Sequence, residues 1–188
     1  NVALKMLEIR NKKHFKNPNE LSIDECMFIG FWLGDGSKNK PKSGGTVYSL
    51  CQSFRTPKMI EWIEKLLNNC NIDYSYCDYK GGIKKVAGQI CNVYGHRTYR
   101  LCIGTGGHNQ NKNGLYKLLP YLEKKGSNLF WGLNRKQFMA LMEGLFKADG
   151  YHGNDNIKYT GQKIIGQYKE LFDLLQAIAV CRGYKASI

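Results

Sequence analysis

No stretch of this chain is apolar for long enough to span a bilayer, and no signal peptide opens it. A membrane-spanning or secreted protein is therefore not expected, and an intracellular one is. Acidic residues are scarce. Fifteen Asp and Glu stand against 28 Lys and Arg, a formal net charge of +13 over 188 residues. That excess calls for a polyanion: nucleic acid first, an anionic membrane surface second. The sequence offers the membrane neither a basic amphipathic helix nor a lipid anchor, so nucleic acid is expected and no membrane partner. Cys-x-x-Cys pairs are missing as well. The seven cysteines are an odd number, several in apolar patterns such as Cys26, which reads as reduced buried thiols with no disulfide partner. One looser set, Cys91, His96, Cys102 and His108, lacks the tight ligand pairs of structural zinc. The alternative is a core-facing Cys102 with histidines in flanking loops. Glycines 104, 106 and 107 are not followed by Gly-Lys-Ser/Thr, which excludes a phosphate loop of that kind.

What is present is a pair of related nonapeptides. Phe28-Ile29-Gly30-Phe31-Trp32-Leu33-Gly34-Asp35-Gly36 and Met142-Glu143-Gly144-Leu145-Phe146-Lys147-Ala148-Asp149-Gly150 share the skeleton apolar-x-Gly-x-x-x-small-Asp-Gly. Each follows a helix-start signal, Leu21-Ser22-x-x-Glu25 and Leu133-Asn134-x-x-Gln137. There the Ser or Asn caps the helix, the Glu or Gln reaches back, and the Leu takes the staple position. Both predicted helices are apolar on nearly every face and so belong in an interior. Gly30 with Gly34, and Gly144 with Ala148, leave one strip of each almost bare, the pattern of a close helix–helix seam. A glycine inside a helix costs about 1 kcal/mol against alanine, so this spacing asks for a packing reason. Gly36 and Gly150 are expected to stop the helices.

Asp35 and Asp149 stand just before those stops, where the helix dipole is already negative. Two helices packed in register bring both carboxylates to one end. Without a cation that pair is unfavourable, and with a hard divalent cation it becomes a site.

The nonapeptides resemble the LAGLIDADG motif of homing endonucleases in its two-motif, single-chain form, and the wording Phe-Trp-Leu-Gly-Asp-Gly is most similar to endonuclease domains carried by inteins. The motif aspartates lie 149 − 35 = 114 residues apart. A second internal match, 169–188 on 57–76 at an offset of 112, pairs Met59 with Leu171, Ile60 with Phe172, Ile63 with Leu175, Leu66 with Ile178 and Ile72 with Tyr184. The resemblance implies a mixed α+β fold of pseudo-twofold αββαββα repeats, with a saddle of antiparallel sheets. It sets an N-terminal segment or linker at 1–20, a first repeat at 21–133 and a shortened second repeat at 134–188. A monomer with internal pseudo-symmetry is expected, the second repeat being that of a fragment, of a shortened design, or of a fold completed by another chain segment. Pattern and propensity place strands at 46–55, 72–79, 83–93 and 98–103, and helices at 57–69 and 114–122.

By motif position the resemblance implies Mg²⁺ or Mn²⁺ on Asp35 and Asp149, helped by the carbonyls of Gly34 and Ala148. It implies site-specific, metal-dependent double-strand cleavage of a long duplex DNA target, in an intein- or intron-associated protein. Arg55 and Gln167 fall where relatives order water, with Arg55 departing from the usual Gln. Lys125 falls where intein endonucleases carry a basic residue, although Asn128 replaces the Pro that usually follows. Lys38, Lys40 and Lys42 alternate in a loop and are candidates to line a phosphate backbone. Strand residues are candidates to read bases: Tyr48, Gln52, Tyr74, Tyr76, Lys84, Lys85, Arg97, Arg100, Lys158, Tyr159 and Lys163. The alternatives are an RNA-binding maturase, a DNA-binding regulator that has lost cleavage, or an inactive relic.

Overall fold

The computed structural model describes residues 16–41, 45–86, 89–103, 113–151, 163–164 and 168–186. Two helices form its centre. Helix α1 spans Ile23–Asp35, and strands β1 (Ser37–Asn39) and β2 (Val47–Ser53) follow. Helix α2 spans Pro57–Asn69, strand β3 Tyr74–Tyr79, and a hairpin comprises β4 (Gly82–Val86) and β5 (Gln89–Val93). Strand β6 (His96–Leu101) returns to the sheet, and helix α3 spans Gly114–Leu118. The second motif helix, α4, spans Arg135–Asp149; strands β7 (Gly150–Tyr151) and β8 (Lys163–Ile164) and helix α5 (Lys169–Cys181) complete the order. The chain is thus mixed α+β with antiparallel sheets. Residues 1–15 of the N-terminal segment expected at 1–20 lie outside the described residues.

Both motif helices start as the sequence indicates. Ser22 Oγ accepts from the Glu25 amide at 3.1 Å while the Ser22 amide donates to Glu25 at 2.8 Å. Asn134 and Gln137 exchange the same two bonds at 3.0 and 2.8 Å, and Leu21 and Leu133 are buried. Each pair satisfies two amides that a helix start leaves open. The Gln137 side-chain Nε2 also donates to the carbonyls of Pro18 and Leu21, tying the start of α4 to the lead-in of α1.

The seam is reciprocal at the atomic level. A Cβ on Gly30 would land on the carbonyl oxygen of Leu141 and stand 2.8 Å from the Leu145 nitrogen. A Cβ on Gly144 would land on the carbonyl oxygen of Met27 and stand 2.9 Å from the Phe31 nitrogen. Residues 27, 30 and 31 therefore face 141, 144 and 145 as mirror roles at the offset of 114. The backbones touch because neither glycine carries a side chain. Helix α4 has 15 residues against 13 in α1, so the twofold relation holds at the seam but not at the helix starts.

The four-stranded sheet has the order β1-β2-β6-β3, all antiparallel. Its helix-side face carries Tyr48, Leu50, Tyr99 and Leu101, all buried. Trp32 of α1 packs on Tyr48 at 5.8 Å between centroids, and Trp62 of α2 meets Phe31 edge-on at 5.1 Å. The α-helix at 114 ends at Leu118, short of the expected 122, and continues as a 3-10 turn over Leu119–Tyr121. Pro120 has no amide to donate to the preceding turn. The piece expected at 83–93 is a two-stranded hairpin.

The downstream match is also structural. Helices α2 and α5 both have 13 residues, at the offset of 112. Beyond each, Ile72 donates to Leu67 at 2.9 Å and Tyr184 to Ala179 at 3.0 Å, the same bond in both copies. The residue before each donor is left-handed, Asn71 with φ 52° and Gly183 with φ 79°. Of the cysteines, Cys26 and Cys70 are buried as the sequence suggests. Cys51, Cys77 and Cys181 are exposed, because the first two stand on the open side of the sheet. No helix of the described residues is long and apolar enough to cross a membrane.

Candidate active site

The two motif helices end side by side. Gly34 is bare where α4 ends: a Cβ there would meet the Cβ of Ala148 and stand 3.0 Å from Oδ2 of Asp149. The seam thus carries Asp149 against the last turn of α1, which itself finishes in Asp35. Gly36 follows in extended conformation, φ −71° and ψ 154°, not in the left-handed region usual for such a stop. Its small size is needed for a different reason, since a Cβ would run into the Trp32 ring. The chain then enters the edge strand β1 directly, and after Asp149 it enters β7.

Burial pushes the Asp35 carboxyl up to about 6, the neighbouring Asp149 charge adds to the rise, and Lys124 opposes it. Asp149 is also raised by burial and lowered by Lys124. Asp35 itself keeps a solvent-facing side. Two carboxyls this close share the cost of ionising, and the rise belongs to the pair.

Lys124 was not singled out by the sequence. Its ammonium donates to the carbonyls of Trp32, Leu33 and Gly34 at 2.9, 2.7 and 2.9 Å and lies 4.9 Å from the centre of the Trp32 ring. It caps the negative end of α1, the favourable place for a cation. Burial pulls its pKa down to about 8 against the pull of Asp149 and Asp35. Lys125, the neighbour singled out by the resemblance, is exposed and pairs with Glu170 at 3.2 Å. Adjacent lysines in one turn point to opposite sides, and sequence alone does not say which turns inward.

The metal expectation meets a donor set of hard oxygens: two carboxylates at the same end of the seam, Asp35 exposed and Asp149 half-buried, with backbone carbonyls beside them. That set suits Mg²⁺ or Mn²⁺, which keep waters and take only one or two protein carboxylates. The Gly34 carbonyl, expected as a helper, is engaged by Lys124. No cluster of three or more His, Cys, Asp or Glu that could hold a metal occurs among the described residues. His96 stacks instead on Tyr79 at 5.0 Å, and Cys91 and His108 lie outside the described side chains.

Sheet register divides the candidate base readers. Tyr48, Gln52, Tyr74, Tyr76 and Arg97 belong to the helix-side set, in the rows Tyr48–Leu101–Tyr74, Leu50–Tyr99–Tyr76 and Gln52–Arg97–Asp78. Arg97 is engaged there: it donates to Asp78 at 2.7 and 2.8 Å and to Glu64 of α2 at 2.7 Å, and lies over the Tyr76 ring at 4.0 Å. Lys38, also in that set, pairs with Glu123 at 2.8 Å. The open face carries the rows Ser49–Arg100–Ser75, Cys51–Thr98–Cys77 and Ser53–His96–Tyr79. Arg100 alone of the candidate strand residues with described side chains stands there, exposed between two serines. Neighbouring strand residues face opposite ways, so a parity misread by one moves every side chain across the sheet. Arg55 lies in the turn after β2, over the Tyr94 ring at 4.4 Å, and Lys40 is exposed. Gln167, Lys42, Lys158 and Tyr159, and the side chains of Lys84, Lys85 and Lys163, lie outside what is described.

No family model matches the chain, and no curated protein matches it. One solved structure similar to it is described as "The homing endonuclease I-WcaI bound to its DNA recognition sequence". The TM-score is 0.49 and the identity 17%, over 94% of this chain and 73% of that one.

Proposed function

We propose that this protein is a metal-dependent endonuclease of duplex DNA, of the LAGLIDADG homing type. The observation that supports the reading is the reciprocal glycine seam, which sets Asp149 against the last turn of the helix that ends in Asp35. A carboxylate pair at the negative ends of two helices costs stability unless a cation is to be held there. Asp35 and Asp149 would hold Mg²⁺ or Mn²⁺, with the Ala148 carbonyl and, once Lys124 releases it, the Gly34 carbonyl. Such a cation supplies an activated water and neutralises charge at the phosphorus. The protein's own share is to hold the two carboxylates by packing, and to bind the duplex with an excess of 13 positive charges.

Base reading falls on the open face. Ser49, Ser75, Cys51, Cys77 and Thr98 are short, so they leave the Arg100 guanidinium free to extend from the sheet. A free arginine in the major groove reads guanine with two hydrogen bonds. The retained carboxylates favour a nuclease over an RNA-binding or regulatory relative.

The test is nicking and cleavage with Mg²⁺ on DNA spanning the gene's own insertion point. Asp35→Asn and Asp149→Asn each abolish double-strand cleavage and leave DNA binding largely intact. Full cleavage by either variant would sink the assignment.

A further inference from the structure

Lys124 has three carbonyl partners at once, all in the last turn of α1, and one of them is the Gly34 carbonyl that a metal would share. Its tether is firm. Tyr121 and Leu122 just before it are fully buried, Glu123 pairs with Lys38, and Lys125 pairs with Glu170. The ammonium thus sits at the negative end of the helix that carries Asp35, within electrostatic reach of Asp149 and Asp35, with the Trp32 ring beneath it. A lysine at this helix end is held by the helix dipole and drawn as well by the two carboxylates that converge there. One that only awaited a phosphate would not have its three N–H groups already spent.

We propose that Lys124 is a resident counter-ion, a tethered ammonium that holds the carboxylate site together until a divalent cation displaces it from the Gly34 carbonyl. Metal uptake is then an exchange of one cation for another. The cation-free protein avoids the repulsion of two bare carboxylates, and the divalent ion must outcompete an ammonium that is always present. Lys124 acts through the metal site and is a positioning residue. The inference rests on the metal reading above.

The probe is Mn²⁺ alone, titrated calorimetrically into the full chain without DNA, and thermal melts with and without it. Lys124→Gln keeps donors but loses charge, Lys124→Met loses both, and Lys124→Arg keeps charge. Removing one positive charge beside a divalent site strengthens Mn²⁺ binding about tenfold in the Gln and Met variants. The Arg variant stays near the parent. Gln and Met melt lower without metal, and saturating Mn²⁺ restores them. Adding Asp35→Asn to Lys124→Gln removes the gain. If the parent binds Mn²⁺ and Gln and Met bind it no tighter, the counter-ion idea falls and the metal reading stands. A gain that survives Asp35→Asn also overturns it, because the ion then sits elsewhere. If no variant takes up Mn²⁺, even with duplex DNA present, both readings fall.

Discussion

In the first half of the chain, the motif helix passes through Gly36 into a four-stranded sheet whose inner face is filled by Tyr48, Leu50, Tyr99 and Leu101. Among the described residues of the second half, the motif helix passes into β7, which pairs with β8. The halves nevertheless agree at the helix seam and at the ends of α2 and α5. Gly30 and Gly144 play the same part at the seam, and α2 and α5 close with the same hydrogen bond. At the seam the two backbones touch, so a change on one helix must be matched on the other.

The agreement at the seam is broken most severely by bulk. Gly30→Leu and Gly144→Leu force side chains into a backbone contact and should each cost about 3 kcal/mol or more, by similar amounts. Thermal melts of the two variants check this, and a Leu variant that melts and cuts like its parent would mean the helices do not meet here.

The two faces of the sheet give the next contrast. Arg97→Ala strands Glu64 and Asp78 and takes a partner from the buried Tyr99 hydroxyl cluster, so the melting temperature drops. Arg100→Ala leaves the melt unchanged and relaxes the preference for guanine at one position in a selection from random duplexes, a discrimination worth about 1–3 kcal/mol. The opposite assignment of effects would mean that the other face meets DNA.

The carboxylate pair titrates against stability. Asp35 holds its proton up to about pH 6 in the folded chain, well above its ordinary value of 3.8. The folded state binds that proton more tightly than the unfolded one, so acid favours folding through this group. Metal-free protein therefore loses this contribution as pH rises from about 4 to 6, and Asp35→Asn flattens the profile in that window. Denaturant melts at several pH values in EDTA measure it; an identical slope in parent and variant counts against the site.

The smallest expected effect sharpens the match between the helix ends. Gly183 has φ 79° with open space around it, and Asn71 holds the same position in the first half at φ 52°. Gly183→Ala should cost about 1 kcal/mol through backbone conformation alone, and Gly183→Asn less. Equal melts for the two variants would show that the left-handed turn carries no strain.

Much of this was legible before any coordinates. Capping boxes, glycine spacing and motif aspartates are local signals, each readable from a few neighbouring residues, and the two offsets of 114 and 112 reveal the duplication by counting. The helices at Ile23–Asp35 and Pro57–Asn69 and the seam between Gly30 and Gly144 follow from them. What the sequence could not decide was which side of an element a residue faces once both sides carry polar groups. Tyr48, Gln52 and Arg97 alternate as well with one face inward as with the other, and only the pairing of β2 with β6 and the cover by α1 and α2 put them on the helix side. The same holds for Lys124 and Lys125: one turn carries both, and a distant helix end, 90 residues earlier at Gly34, selects the first. Local pattern determines element and period. Direction is decided by what lies across the core, because burial of a charge is settled by the partner that awaits it.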